Sequence, residues 1–125
     1  MDKVVKYYVL LLFVHAVHLA EEAFGKAYFI TSVYGTLQKF LIINILLWVI
    51  PVVLLYFVAQ KKRIALYLAL AYPFVMIIDG IDHVIEFFLV GYVGGAAGLI
   101  TGIIFLPLGF LLLYELRKTL KNYRK

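Results

Sequence analysis

The chain has 125 residues, 66% of them hydrophobic, with a mean hydropathy of +1.02 and a formal net charge of +5. Soluble domains are about half apolar, so the composition points to an integral membrane protein, and the length is that of one domain without a separate soluble module. The absence of cysteine excludes disulfides, thiolate metal sites and cysteine nucleophiles.

Four apolar segments follow in order. Helix 1 is expected over residues 4–24 and stops at Gly25, a residue type that favours helix C-termini. Its apolar run carries His15 and His18, and Glu21 and Glu22 stand where a signal peptide would have small cleavage-site residues, so it reads as a retained span. Residues 26–39 are less apolar, with Tyr28, Phe29 and Tyr34 around Thr31, Ser32 and Gly35. That is the pattern of an interfacial loop or short surface helix with an aromatic belt. Helix 2 is expected over 40–59, kinked rather than ended by Pro51 because apolar residues continue on both sides. Residues 60–63, Gln-Lys-Lys-Arg, make a basic turn. Helix 3 is expected over 64–90, longer than the roughly 20 residues a span needs, with a kink or tilt at Pro73. Gly91, Tyr92, Val93, Gly94 and Gly95 read as a turn, helix 4 as 96–116, and a basic tail follows. Gly94, Gly98 and Gly102 make a small-residue ridge that suits close packing of helix 4 on another helix of the chain.

For four spans, the N-terminus, the helix 2–3 turn and the C-terminus share one side and carry ten lysines and arginines; Lys26 and Lys39 alone lie on the other. By the positive-inside rule both termini are cytoplasmic. The basic balance is thus a topology signal, with scope for contact with anionic lipid, and a nucleic-acid partner is not expected. The fold class is all-α: a four-helix transmembrane bundle in the cell membrane.

Eight of the ten acidic and histidine side chains fall in two clusters within these apolar runs: His15, His18, Glu21 and Glu22, then Asp79, Asp82, His83 and Glu86. A charge at the middle of a membrane helix costs roughly 2.5–3.5 kcal/mol, so five unpaired carboxylates would cost on the order of 10–15 kcal/mol. They must face each other, a metal or water. Residues three, four and seven apart share a helix face, which aligns His15, His18 and Glu22 with Glu21 at the shoulder, and aligns all four residues of the second cluster. Both clusters contain a His-x-x-Glu step, and their depths match within about one turn. Helices 1 and 3 are therefore expected to share one polar core in the extracytoplasmic half of the bundle. Asn44, Thr101 and Tyr72 fall near it, with packing the favoured role.

Imidazole and carboxylate without thiolate suit a divalent metal, zinc first and iron or manganese next. The expected ligands are His15, His18 and His83 with one or more of Glu22, Asp79 and Asp82. Glu21 or Glu22 would serve as general base, and Glu86 would orient a histidine. A di-iron centre ranks lower, because helices 2 and 4 bring no acids to it.

His18-Leu-Ala-Glu21-Glu22 resembles the motif of the HXXEE family of small integral membrane proteins. His83 resembles the family's second histidine in a later helix. Tyr92-Val93-Gly94-Gly95 looks like its Tyr-x-Pro-Gly motif, with Gly94 in place of proline. The resemblance spans most of the chain and implies that His18, Glu21, Glu22 and His83 are the key residues; it implies no substrate.

The leading expectation is an intramembrane metal-dependent hydrolase acting on a lipid or another membrane-embedded substrate. The alternatives are a proton or metal-ion conduit, and a structural subunit whose polar network only locks the bundle. The lipid bilayer is the expected partner, and a homo-oligomer is compatible with the sequence.

Overall fold

In hydrocarbon every backbone N–H and C=O must be satisfied within its own segment, and long apolar runs meet that demand as helices. The computed structural model describes residues 2–25, 30–91 and 96–123. Their order is α1 (Lys3–Gly25), a π-helical turn (Ile30–Tyr34), α2 (Leu37–Ala59), α3 (Arg63–Leu68), α4 (Ala71–Val90) and α5 (Leu99–Asn122). Four helices are long and apolar enough to cross a membrane; α3 and α4 together make the third.

The boundaries differ from the sequence expectation at three places. Helix α2 starts at Leu37 because Thr36 caps it, its Oγ1 accepting the Lys39 N–H at 3.2 Å. The expected helix 3 divides into α3 and α4 one turn before Pro73. That proline has no N–H for the Ala69 carbonyl, and the chain tightens there, Leu70 N bonding Tyr67 O at 3.2 Å. The last helix begins at Leu99 and runs to Asn122, so the basic tail is helical through Lys121. Gly98 precedes it in the left-handed region (φ 86°) and caps the helix instead of belonging to a helical glycine ridge. The motif residues Tyr92, Gly94 and Gly95, and the belt residues Tyr28 and Phe29, lie outside the described residues.

Helix α5 is the central element, packed along α4 and against α1, while α2 leans mainly on α1 and the π turn. The core between them holds Tyr8, Leu11, Leu66, Phe105, Leu112 and Leu116, all at most 1% exposed. Outward faces carry Phe13, Phe24, Phe88 and Leu89, each at least 66% exposed, as a lipid-facing surface requires. Small residues let α4 and α5 approach. A Cβ on Gly80 would collide with the Gly102 carbonyl oxygen, and one on Gly109 would lie 2.6 Å from Ile77 Cγ1.

One end of the bundle is basic. Lys61 Nζ pairs with Asp2 Oδ2 at 3.1 Å, and Tyr123 Oη donates to the Lys61 carbonyl at 2.8 Å. These bonds bring the N-terminus, the α2–α3 turn and the end of α5 together, as the charge count required. Burial works against ionisation of Asp2, but the Lys61 ammonium and the N–H groups of Val4 and Val5 outweigh it and hold the carboxyl below its usual range.

Two outcomes are expected for the protein in detergent. Gly80→Ala costs about 1–3 kcal/mol through overpacking against α5, while Ala16→Leu on the exposed face of α1 changes stability by less than about 0.5 kcal/mol; thermal unfolding checks both. Asp2→Asn costs about 0.2–1 kcal/mol at neutral pH. A lowered carboxyl pKa stabilises above the ordinary carboxylate range and is lost as pH falls through the lowered value. The difference from the parent therefore disappears in strongly acidic solution, and a deficit that persists there would contradict the ion pair.

Candidate metal centre

Helices α1 and α4 both run away from the basic end, and each delivers a histidine near its far end. His18 lies seven residues before Gly25 and His83 eight before Gly91, about 10–12 Å in at 1.5 Å per residue. Both rings are 2% exposed. They meet edge to face at a centroid separation of 4.7 Å, with Phe105 beneath His18 at 4.7 Å. Glycine makes the room: a Cβ on Gly98 would lie 2.6 Å from His83 Cε1 and 2.9 Å from His18 Cε1, and one on Gly102 would lie 3.1 Å from His83 Cβ.

The two Nε2 atoms converge on one carboxylate. Glu22 Oε1 is 3.1 Å from His18 Nε2 and 2.9 Å from His83 Nε2. Asp79 Oδ2 is 3.2 Å from His18 Nε2, yet it is buried and has no directed hydrogen bond. One ligand atom from each of His18, Asp79 and His83 falls within 4.8 Å of the others. Atoms ligating one ion at about 2.0–2.2 Å lie at most about 4.4 Å apart, so small side-chain rotations close the set. A His18–Asp79–His83 group that could hold a metal ion is therefore present, with Glu22 against it.

The outer nitrogens are backed by carboxylates. His18 Nδ1 is 2.7 Å from Thr101 Oγ1, and the Thr101 hydroxyl donates to Glu21 Oε2. His83 Nδ1 faces Glu86 Oε2 at 3.8 Å. In each case the carboxylate is the histidine's own neighbour three residues on, but only Glu21 is linked by hydrogen bonds, while Glu86 faces its histidine as a nearby charge. A hydroxyl has one proton to donate. With that proton on Glu21, the contact at His18 Nδ1 requires an N–H there. The Nε2 lone pair of the neutral ring then faces two carboxylates, an arrangement that needs a proton or a metal ion between them.

The sequence-predicted residues separate into three groups. His18, His83, Glu22 and Asp79 meet at the centre. Glu21 and Glu86 stand behind the histidines. Glu21 also accepts the Ile100 and Thr101 N–H groups at 3.4 and 3.3 Å, which makes it a cap on α5 and turns it away from the centre. His15 and Asp82 are not brought in. His15 lies nearer the basic end, its Nδ1 3.2 Å from Tyr72 Oη. Asp82 is exposed, because successive residues on a helix point about 100° apart and His83 takes the inward position.

Of the three weaker candidates, Thr101 and Tyr72 touch the histidines. Asn44 Nδ2 donates to Phe40 O at 2.9 Å within its own helix. Sequence reasoning missed the part played by Phe105 and Gly98 in seating the rings. It also missed a cavity of about 410 Å³ between α2 and α4, whose polar end is formed by His15, His18, Glu22 and Asp79. The glycines at 98 and 102 were visible in the sequence as places for close approach; nothing in an unbroken apolar run signals a groove.

Glu21→Ala is expected to destabilise the metal-free protein by about 1–2 kcal/mol, because it removes an anion from a helix N-terminus. Unfolding in the presence of a chelator checks this, and an unchanged midpoint would remove Glu21 from the capping role. Compared with known proteins, the chain matches no family model, no curated protein and no solved structure.

Proposed function

We propose that the chain is a multi-pass cell-membrane protein with both termini cytoplasmic, acting as a metal-dependent hydrolase on a lipid or other membrane-embedded substrate. The observation that carries this reading is the donor count at the centre. Two imidazole Nε2 atoms converge on Glu22 and one of them also on Asp79, while both Nδ1 atoms are directed outward at groups tied to carboxylates. Carboxylate-backed histidines are the usual way a protein fixes the tautomer and raises the basicity of metal ligands. The ten-to-two charge count and the gathering of the three basic segments at one end support the orientation.

With two nitrogens and a carboxylate and no thiolate in the chain, zinc is the metal of choice. A zinc ion held by this group would supply Lewis-acid chemistry, making a bound water acidic enough to give hydroxide near neutral pH. His18, His83 and Asp79 are the ligands in this reading. Glu22, which lines the cavity, is the general base: it takes a proton from the attacking water and returns it to the departing alkoxide. Water is consumed, and an ester gives one acid and one alcohol. Glu21 through Thr101, and Glu86 directly, orient the imidazoles. The resemblance to the HXXEE family supports the same choice of residues, since His18, Glu22 and His83 stand at the centre and Glu21 behind it through Thr101.

A proton path is the second reading, favoured by one specific observation. His15 and Tyr72 extend the polar stripe towards the basic end, where Tyr8 packs on Tyr72 at 5.2 Å with its hydroxyl buried and without a partner among the described residues. Proton flux in liposomes that disappears in Tyr72→Phe and persists in zinc-free protein would favour the path over the hydrolase.

The metal is tested directly. Purified protein is expected to bind one zinc per chain by elemental analysis and calorimetry. His18→Ala and His83→Ala abolish binding, and Thr101→Val weakens it by about 10–100-fold. Asp82→Asn leaves it unchanged. Stoichiometry far below one per chain, equal in parent and His18→Ala, would defeat the proposal. Glu22→Gln is expected to keep zinc and lose about 100-fold or more in ester turnover.

A further inference from the structure

The cavity between α2 and α4 has a shape that the metal centre alone does not require. Its back wall is α1 and its polar end holds His15, His18, Glu22 and Asp79 with Asn44 and the Tyr34 and Tyr72 rings beside them, while the stretch from Leu47 to Leu54 and Leu68 at the far end is apolar. Its rim residues Leu47, Ile50, Leu68 and Val75 are exposed, so the groove opens sideways onto the surface that would face lipid. Helix α2 is supported mainly by α1 and stands apart from α4, which leaves this gap between them.

Resting on the hydrolase reading and deepening it, we infer that the substrate is a neutral single-chain amphiphile, its hydrocarbon chain in the α2–α4 groove and its polar end at His15, Glu22 and Asp79. The length and the volume of the cavity both match one chain. Along the third span, Leu68 to Asp79 covers about 16 Å at 1.5 Å per residue. An extended chain advances about 1.25 Å per methylene, the projection of a 1.5 Å bond, so about thirteen carbons fit. The volume of about 410 Å³ holds about fourteen groups of methylene size at ~30 Å³ each, close to the share of a water molecule. A lipid with two such chains would leave the second outside.

The head group follows from charge. Among the described residues no lysine or arginine lines the cavity, and its polar end carries two carboxyl groups. In the metal-free protein a phosphate or free carboxylate therefore meets two carboxyl groups and no lysine or arginine, whereas a hydroxyl, ester or amide finds imidazole and carboxylate partners.

Native mass spectrometry of the detergent-solubilised, chelator-treated protein with saturated monoacylglycerols of increasing chain length tests this. One bound equivalent is expected, with affinity peaking near fourteen carbons and falling at least tenfold by eighteen. The fatty acid of matching length should bind at least tenfold more weakly. Ala71→Phe, on the groove wall three residues above Leu68, should shorten the preferred chain by about four carbons, the equivalent of one helical turn. If that variant does not fold, Leu54→Trp on the opposite wall replaces it and predicts a shift in the same direction.

Affinity that rises through eighteen carbons in parent and variant alike would overturn the inference. So would equal binding of the fatty acid. Zinc uptake by the same preparations, measured after the chelator is removed and zinc is added back, separates the two ideas. A chain-length peak without zinc binding removes the metal reading and leaves the groove, and zinc binding without a peak does the reverse.

Discussion

A carboxylate in hydrocarbon is stable only if other groups replace the water it has lost, and Glu22 is the place where this chain meets that condition. It is 3% exposed and lies about 3 Å from two imidazole nitrogens on two different helices. Everything else at the far end of the bundle serves that arrangement. α1 and α4 must be parallel and in register, so that His18 and His83 arrive at one depth. α5 and its cap must present glycine where the rings press on them, and Gly102 and Gly98 do so. Glu21 must leave the centre, since another uncompensated anion there would undo the balance; the N–H groups opening α5 take it. Removing one partner of such a buried pair commonly costs about 3–5 kcal/mol, so the centre and the helix register are one energetic unit.

The same units recur along the chain. His18 and His83, Glu21 and Glu86, Thr36 and Thr101, and Phe40 and Phe105 are all identical pairs 65 residues apart. Each pair falls on corresponding parts of two helical hairpins, α1–α2 and α3/α4–α5, and each hairpin brings one histidine backed by its own glutamate. The hairpins differ where the centre needs asymmetry. Glu22 has Phe87 as its counterpart, and Asp79 has Val14, so each hairpin brings one unmatched carboxylate to the centre, Asp82 opposite Val17 being turned outward. The second threonine shows the change of use most clearly: Thr36 caps α2 with its hydroxyl, whereas Thr101, inside α5, links Glu21 to His18.

Much of this was legible in the sequence because the membrane magnifies polar signals. Ionisable groups are so costly in apolar helices that their positions alone specified the two facing stripes and their common depth. The basic residues likewise specified which ends of the helices meet. Helical spacing could not decide which stripe members point inward. Asp82 and His83 are adjacent, and only the packing of His83 against Gly102 settles that Asp82 is the one turned out. The break at Ala69–Leu70 was placed one turn too late because a proline perturbs the carbonyl four residues before it, not its own position. Helix ends were misjudged where a cap lay outside the apolar run, as Thr36 does, or where basic residues continued a helix, as Arg117 and Lys118 do.

Helix α2 was the least informative segment of the sequence, and its lack of a polar pattern has a structural meaning. Beyond Gln38 and Lys39 in its first turn its sequence is almost wholly apolar, with Asn44 bonded to its own backbone, so no charge pins it to α4. One directed tie from α2 to a neighbour is the indole N–H of Trp48, which donates to the Leu12 carbonyl of α1 at 3.2 Å. Lipid tails are as apolar as the side chains of α2, so burying that helix against α4 would gain little from the hydrophobic effect. A gap between them costs little, because a hydrocarbon chain fills it as well as protein does. A soluble protein would close such a gap to remove apolar surface from water; in a bilayer it can persist. The centre needs tight helix approach at α4–α5 and is served equally well by the absence of it at α2–α4, and glycines are placed accordingly: Gly80, Gly102 and Gly109 all line the first seam.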